Sequence, residues 1–168
     1  GVADKAYGTQ SKVLSKSLCA QLESQSRLCR VTLNTFVQAA WGLLLSRCVH
    51  SDEVIFGAVS AGRPANLAHA ESIVGAMIST VPVRMRLSAQ TKISEFLAQV
   101  QDAAVQARDY EYAPLSAIQS WSELPAGENL FDTVLAFENY PYEENSEDKN
   151  DKKNQEFIRQ IESFEQPH

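Results

Sequence analysis

A chain of 168 residues, 44% of them apolar, can bury one sizeable core, so a single domain of α/β or α+β character is expected. Its formal net charge of −6 disfavours nucleic-acid backbones and anionic membranes as partners, because both attract basic patches. Cys19, Cys29 and Cys48 are odd in number and contain no CxxC pair, which points to neither a disulfide framework nor a zinc site and fits a reducing, cytoplasmic setting.

Gly1–Tyr7 has neither a basic nor an apolar region of signal-peptide type. A short strand is expected at Lys12–Leu14. Ser15 then stands as the N-cap of an amphipathic helix through Leu18, Leu22 and Leu28. Thr32 is the next N-cap, and Phe36, Val37, Ala40, Trp41, Leu44 and Leu45 recur at three- and four-residue steps. So broad an apolar face predicts a helix, ending near Cys48, that is buried on more than one side. The stretches Phe36–Leu45 and Ile78–Val83 are interrupted by Gln38, Gly42 and Pro82 and fall short of a bilayer span.

Val54–Val59 is a continuous apolar run of strand length, suited to the interior of a covered sheet, and Ala61–Pro64 ends it as a loop. A second strand is expected over Ile78–Leu87, with Ile78, Thr80, Val83, Met85 and Leu87 on one face and Arg84 and Arg86 on the other. Thr91 is expected to cap a helix whose positions Ile93, Phe96, Leu97, Val100 and Ala104 keep the 3.6-residue period. Asp109–Pro114 breaks that helix, and Pro114 fits the first turn of a short one through Ile118. Leu124–Asn129 reads as a loop and Phe131–Phe137 as a third strand running out at Glu138–Pro141. Residues 143–156 are all Glu, Asp, Lys, Asn, Gln or Ser, a composition expected to form a mobile acidic loop. Phe157, Ile158, Ile161 and Phe164 resume apolar character, and the stop at Gln166, Pro167 and His168, without a turn or cap, reads as a cut within a domain.

The side chains that could carry chemistry are scattered. His50, His69 and His168 are isolated from one another and from any Cys, Asp or Glu at metal-ligand spacing. Ser60 and Ser116 lack GxSxG flanks, and Gly57 and Gly62 form neither GxGxxG nor a Walker loop. Asp109 and Glu111 alternate with Tyr110 and Tyr112, and a carboxylate desolvated by such rings could act as an acid or base. The plainer reading, tyrosines packing while the acids face water, carries more weight. Arg63 reads first as a structural ion-pair partner, and the face of Phe36, Trp41 and Leu44 as core. The residues by themselves define an α/β domain without a complete catalytic constellation.

Several segments in fixed order add to this. VTLNTFVQAAWGLLL (Val31–Leu45), VIFGAVSAGRP (Val54–Pro64), IVGAMISTVPVRMR (Ile73–Arg86), DYEYAPLSAIQ (Asp109–Gln119), LFDTVLAFENYP (Leu130–Pro141) and IESFEQ (Ile161–Gln166) together resemble the condensation domains of nonribosomal peptide synthetases. The resemblance covers nearly the whole chain. It implies a chloramphenicol-acetyltransferase-like lobe, a mixed sheet covered by helices, with residues 1–168 forming the second of two lobes and truncated at both ends. The HHxxxDG motif of the family belongs to the first lobe, and no two histidines adjoin here, so no catalytic residue carries over. For the parent the resemblance implies amide formation between thioesters carried on the phosphopantetheine arms of carrier domains, with no cofactor bound directly by this chain. It also implies the N-terminal lobe and carrier domains as partners, and self-association of the lobe when isolated. A non-catalytic docking lobe, or half of another acyltransferase of the superfamily, are the alternatives.

Residue by residue, the Gly-Arg-Pro motif stands as Gly62, Arg63 and Pro64, with Ala61 in place of the usual serine. The VGxxxNT stretch stands as Val74–Thr80, with Ser79 where asparagine is usual, and Asn129 replaces a common proline. Gly62, Arg63, Ser79, Thr80 and Tyr110 are the substrate-tunnel candidates that follow.

Overall fold

The computed structural model describes residues 8–60, 78–125 and 127–138. The expectations for Gly1–Tyr7, Ala61–Pro64, His69, the acidic stretch 143–156 and the apolar residues after it lie outside them.

Two capped helices come first. Helix α1 spans Lys16–Cys29, and Ser15 caps it as expected, its side chain accepting from the Leu18 amide at 3.2 Å. Helix α2 spans Leu33–Val49 behind Thr32, whose hydroxyl accepts from the Thr35 amide at 3.2 Å. Lys12–Leu14 form no strand: residues 8–15 are irregular, and Leu14 turns toward Leu22 and Phe36 instead of joining a ladder.

The sheet that follows is mixed and has the order β2-β1-β3. Strand β1 (Glu53–Ser60) runs antiparallel to β2 (Ser79–Arg86) and parallel to β3 (Val134–Leu135). The β1–β2 register pairs Val54 with Met85 and Phe56 with Val83 without a slip, so these four share the face that the helices cover. Thr80 corrects the expected pattern. With a side-chain period of two and no bulge, it shares its face with Pro82, Arg84 and Arg86, opposite Val83 and Met85. The Leu87 amide donates to Asp52 across the ladder, so Pro82 falls at an outward position where its missing N–H removes no β1 bond.

Helix α3 (Ile93–Ala107) buries Phe96, Leu97 and Val100 against the sheet, while Ile93 stays exposed. Its N-cap is Lys92, not Thr91, whose amide is held instead in a turn by the Ser88 carbonyl. Gln101 ties α3 to the start of α2, its Oε1 accepting from the Thr32 amide at 2.9 Å and the Thr35 hydroxyl at 2.6 Å. A 3₁₀ turn, Arg108–Tyr110, leads to helix α4 (Leu115–Trp121), which Pro114 precedes as the N-cap residue and which runs three residues beyond Ile118. The third strand is shorter than Phe131–Phe137. Phe131 leaves the ladder to cover Gly57, and the Thr133 carbonyl accepts from the Gly57 amide at 2.8 Å.

The core consists of Ala39, Val54, Phe56, Met85, Phe96, Leu97, Val100 and Leu135, with Phe56 fully enclosed. Helix α2 contributes one side only. Thr35, Gln38, Ala39 and Gly42 are buried, but Leu43 and Leu44 are 42% and 52% exposed, so the expectation of burial on more than one side does not hold. Its other side lines an open groove that Leu14 and Leu22 flank without filling.

On the opposite face of the sheet a Cβ placed on Gly57 would stand 2.6 Å from the Phe131 ring and 2.8 Å from Thr80 Cγ2. Gly57→Ala should therefore destabilise the fold by about 1–3 kcal/mol through overpacking, read as a lowered urea midpoint. An unchanged midpoint would mean that Phe131 does not lie on this glycine.

Nearby, exposed Glu53 takes the guanidinium of Arg84 and, at 3.4 Å, that of Arg86. The Arg84 hydrogen bond holds its carboxyl below the ordinary value of 4.5, and Arg84 is raised in turn. Because the folded-state pKa is the lower one, the pairing stabilises above pH 4.5 and is lost as pH falls through that depressed value. The stability gap between wild type and Glu53→Gln should thus be present at neutral pH, narrow with added salt, and close in acid. A gap that persists unchanged to about pH 2 would rule the ion pair out as its source.

Candidate functional site at the end of the sheet

Strands β1 and β2 end side by side, Ser60 paired in register with Ser79. Counting by twos from Val54 and Phe56 puts both serines on the helix-covered face, beyond the last apolar pair, Ala58 and Val81. Ser60 Oγ donates to Glu111 Oε1 at 2.7 Å. This bond joins the end of β1 to the residue just after the 3₁₀ turn. Ser79 Oγ is buried and has no hydrogen-bond partner among the described residues.

Tyr110 closes the 3₁₀ turn. The residue is 64% exposed and its carbonyl accepts from the Ala113 amide at 2.9 Å. Tyr112 is more exposed still, and Asp109 also faces solvent. The plainer reading of this segment therefore fits Asp109, whereas Glu111 is half-buried and bound by a hydroxyl. The two tyrosines, expected to pack, stand out into solvent instead.

Of the tunnel candidates, then, Ser79 and the Tyr110 turn belong to one strand-end neighbourhood. Thr80 lies on the other face, against Gly57. Gly62 and Arg63 lie outside the described residues. Two residues not counted among the candidates, Ser60 and Glu111, make the central contact. The sequence raises Ser60 only as a nucleophile and Glu111 only as an acid or base. Strand alternation and the Ala61–Pro64 stop could have placed Ser60 at the strand end, but no local pattern reveals a partner 51 residues away.

A second feature is apolar. Leu22, Phe36, Val37, Trp41, Leu44 and Leu135 are among the residues lining a groove of about 350 Å³ between α1, α2 and β3. Trp41 Nε1 is buried there without a hydrogen-bond partner among the described residues. Phe36 and Trp41, on the face read as core, do pack against the core, half-buried, whereas Leu44 is exposed, so that face is at once the edge of the core and the wall of the groove. His50 is the exposed residue that ends α2 in a left-handed conformation, with φ 52°. No group of three or more His, Cys, Asp or Glu among the described residues could hold a metal ion, and no single helix there is long and apolar enough to cross a membrane.

The sequence profile of the Condensation domain family matches residues 2–167, and the chain belongs to that family. It is 43% identical over 145 residues to one of the linear gramicidin synthase proteins of Brevibacillus parabrevis, covering 86% of this chain and 2% of that protein. To bacitracin synthase 3 of Bacillus licheniformis it is 36% identical over 162 residues, covering 95% of this chain and 2% of that one. The chain is thus a small fraction of the length of these relatives. Among solved structures it resembles a four-domain nonribosomal peptide synthetase bound to AMP and glycine, with a TM-score of 0.68 at 18% identity, covering 78% of this chain and 10% of that one. That likeness is one of fold, and it bears out the chloramphenicol-acetyltransferase-like lobe with its mixed sheet and helical cover.

Two substitutions separate the paired serines. Ser60→Ala removes a partly buried bond to a carboxylate and should cost about 1–2 kcal/mol, whereas Ser79→Ala removes a buried hydroxyl with no partner and should leave the urea midpoint unchanged or raise it. Urea unfolding of the two variants gives the comparison. Equal losses would show that Ser60 and Ser79 are equivalent and that the Glu111 bond contributes nothing.

Proposed function

We propose that this chain is the C-terminal lobe of a nonribosomal peptide synthetase condensation domain. The parent joins a carrier-bound acyl or peptidyl thioester to the amine of a carrier-bound aminoacyl thioester, forming an amide. The observation that carries this reading is a family match from residue 2 to 167 on a chain in which His50, His69 and His168 never adjoin. A domain that needs the paired histidines of HHxxxDG must therefore take them from outside these residues. By itself the lobe is inactive, because the group that positions or deprotonates the attacking amine is missing.

In the assembled domain this lobe forms one wall of the substrate tunnel and part of the surface that meets the carrier domains. The cofactors are the phosphopantetheine arms of those carriers, and the working compartment is the cytoplasm. The strand end supports Ser79 and Tyr110 as tunnel residues, and Gly62 and Arg63 follow β1 closely in the chain. Thr80 points to the other face of the sheet, so its side chain and that of Ser79 cannot both line one cavity wall. The N-terminal lobe is the natural partner, and without it the exposed apolar groove favours self-association.

The reading is tested by supplying a donor acyl carrier and a panel of aminoacyl carriers, and following amide product by mass spectrometry. A complete condensation domain containing this chain should form product, and the chain alone should stay at the uncatalysed rate. Product from the chain alone would overturn the claim of inactivity. Failure of the complete domain across the panel would overturn the reaction.

A further inference from the structure

The turn that carries Tyr110 is poorly held by packing. Neither the 3₁₀ turn Arg108–Tyr110 nor α4 after it has a buried residue. The backbone bonds that shape the region are local: Glu111 amide to Arg108 carbonyl, Ala113 to Tyr110, Ala117 to Pro114. Such bonds fix the shape of the turn, while continuity with α3 and the half-buried contact of α4 with β2 set only its general position. The bond from Ser60 to Glu111 is the side-chain tie that adds to these, reaching 51 residues back to the end of the central strand. It is also short, at 2.7 Å, partly buried and made to a carboxylate, the stronger class of hydrogen bond.

We propose that Glu111 is a positioning residue: through Ser60 it docks the Tyr110 turn and the start of α4 on the end of β1. Its carboxylate acts as an acceptor, with no proton transferred. Glutamine has an equivalent oxygen at the same reach and should serve nearly as well. The consequence for catalysis rests on the reading above, in which the strand end faces the tunnel. With the clasp lost, the turn that carries Tyr110 is no longer tied to the strand end, and binding of a carrier-bound substrate weakens while the chemical step, performed elsewhere, is little changed.

The test is a double-mutant cycle in the complete condensation domain that contains this chain, with Ser60→Ala, Glu111→Ala, the two combined, and Glu111→Gln. Hydrogen exchange should speed up by about tenfold at the Glu111, Ala113 and Ala117 amides in either alanine variant, and no further in the double variant. Glu111→Gln should stay close to wild type. In the amide-forming assay the alanine variants should raise KM for one of the two carrier-bound substrates by about tenfold with kcat nearly unchanged, and glutamine should rescue it. Additive exchange effects would overturn the clasp. Coupled exchange with unaltered kinetics, or a loss confined to kcat, would overturn the positioning role. A wild-type domain that makes no amide would bring down the reading of the reaction and the kinetic role with it, while the exchange cycle would still decide the anchor.

Discussion

Everything in this lobe hangs on the double burial of β1. At Phe56 the strand is sealed by helices on one face, and at Gly57, one residue on, by the Phe131 ring on the other. Adjacent residues of a strand point to opposite faces, so a single pair of positions locks both layers to the same backbone. Phe56 gains the burial of a large ring, worth about 1.5–3 kcal/mol. Gly57 gains the absence of a side chain, which lets Phe131 approach closely enough for the Thr133 carbonyl to meet the Gly57 amide. Because that meeting sets the parallel register of β3, the entry of the third strand follows from a glycine in the first.

The same constraint explains which parts of the fold are legible in the sequence. Both N-caps, Ser15 and Thr32, are readable because their signals are local: an oxygen-bearing side chain just ahead of an amphipathic run. The run Val54–Val59 is readable as a strand because apolar residues fill both of its faces, although Ile55 on the outer one stays exposed. Thr91 and Lys92 show the limit. The sequence offers Thr91 as the better cap, but a turn closed by Ser88 takes its amide and moves the boundary on by one residue. For Phe131 the failure is larger, because strand propensity cannot foresee that a neighbouring glycine leaves room for a ring out of the ladder. The face of Phe36, Trp41 and Leu44 likewise fixes that the helix has an apolar side, and leaves open whether this chain covers it.

The candidate site is legible only in halves. The strand-ending Ala61–Pro64 and the proline-broken Asp109–Pro114 are each visible as places where regular structure stops. Their adjacency is not, since it arises from the path of α3 back across the sheet and brings together residues 51 apart. Nor does periodicity distinguish the two acids of that segment. Asp109 and Glu111 carry the same charge in the same aromatic setting, and only the arrival of Ser60 gives the second a partner.

Polar atoms without partners mark where the described core is least settled. A buried, unpaired donor or acceptor costs about 1–3 kcal/mol, and folded domains carry few of them. Among the described residues they are Asn34 Oδ1, Gln38 Oε1, Trp41 Nε1 and Ser79 Oγ. Three of the four sit on α2, the helix whose far side is the open groove, and the fourth sits at the strand end beside the clasp. Gln38 lies on the buried side of α2, Trp41 on the groove and Ser79 at the strand end, so these costs fall at separate places on the helix-covered side of the sheet and are not gathered at one opening.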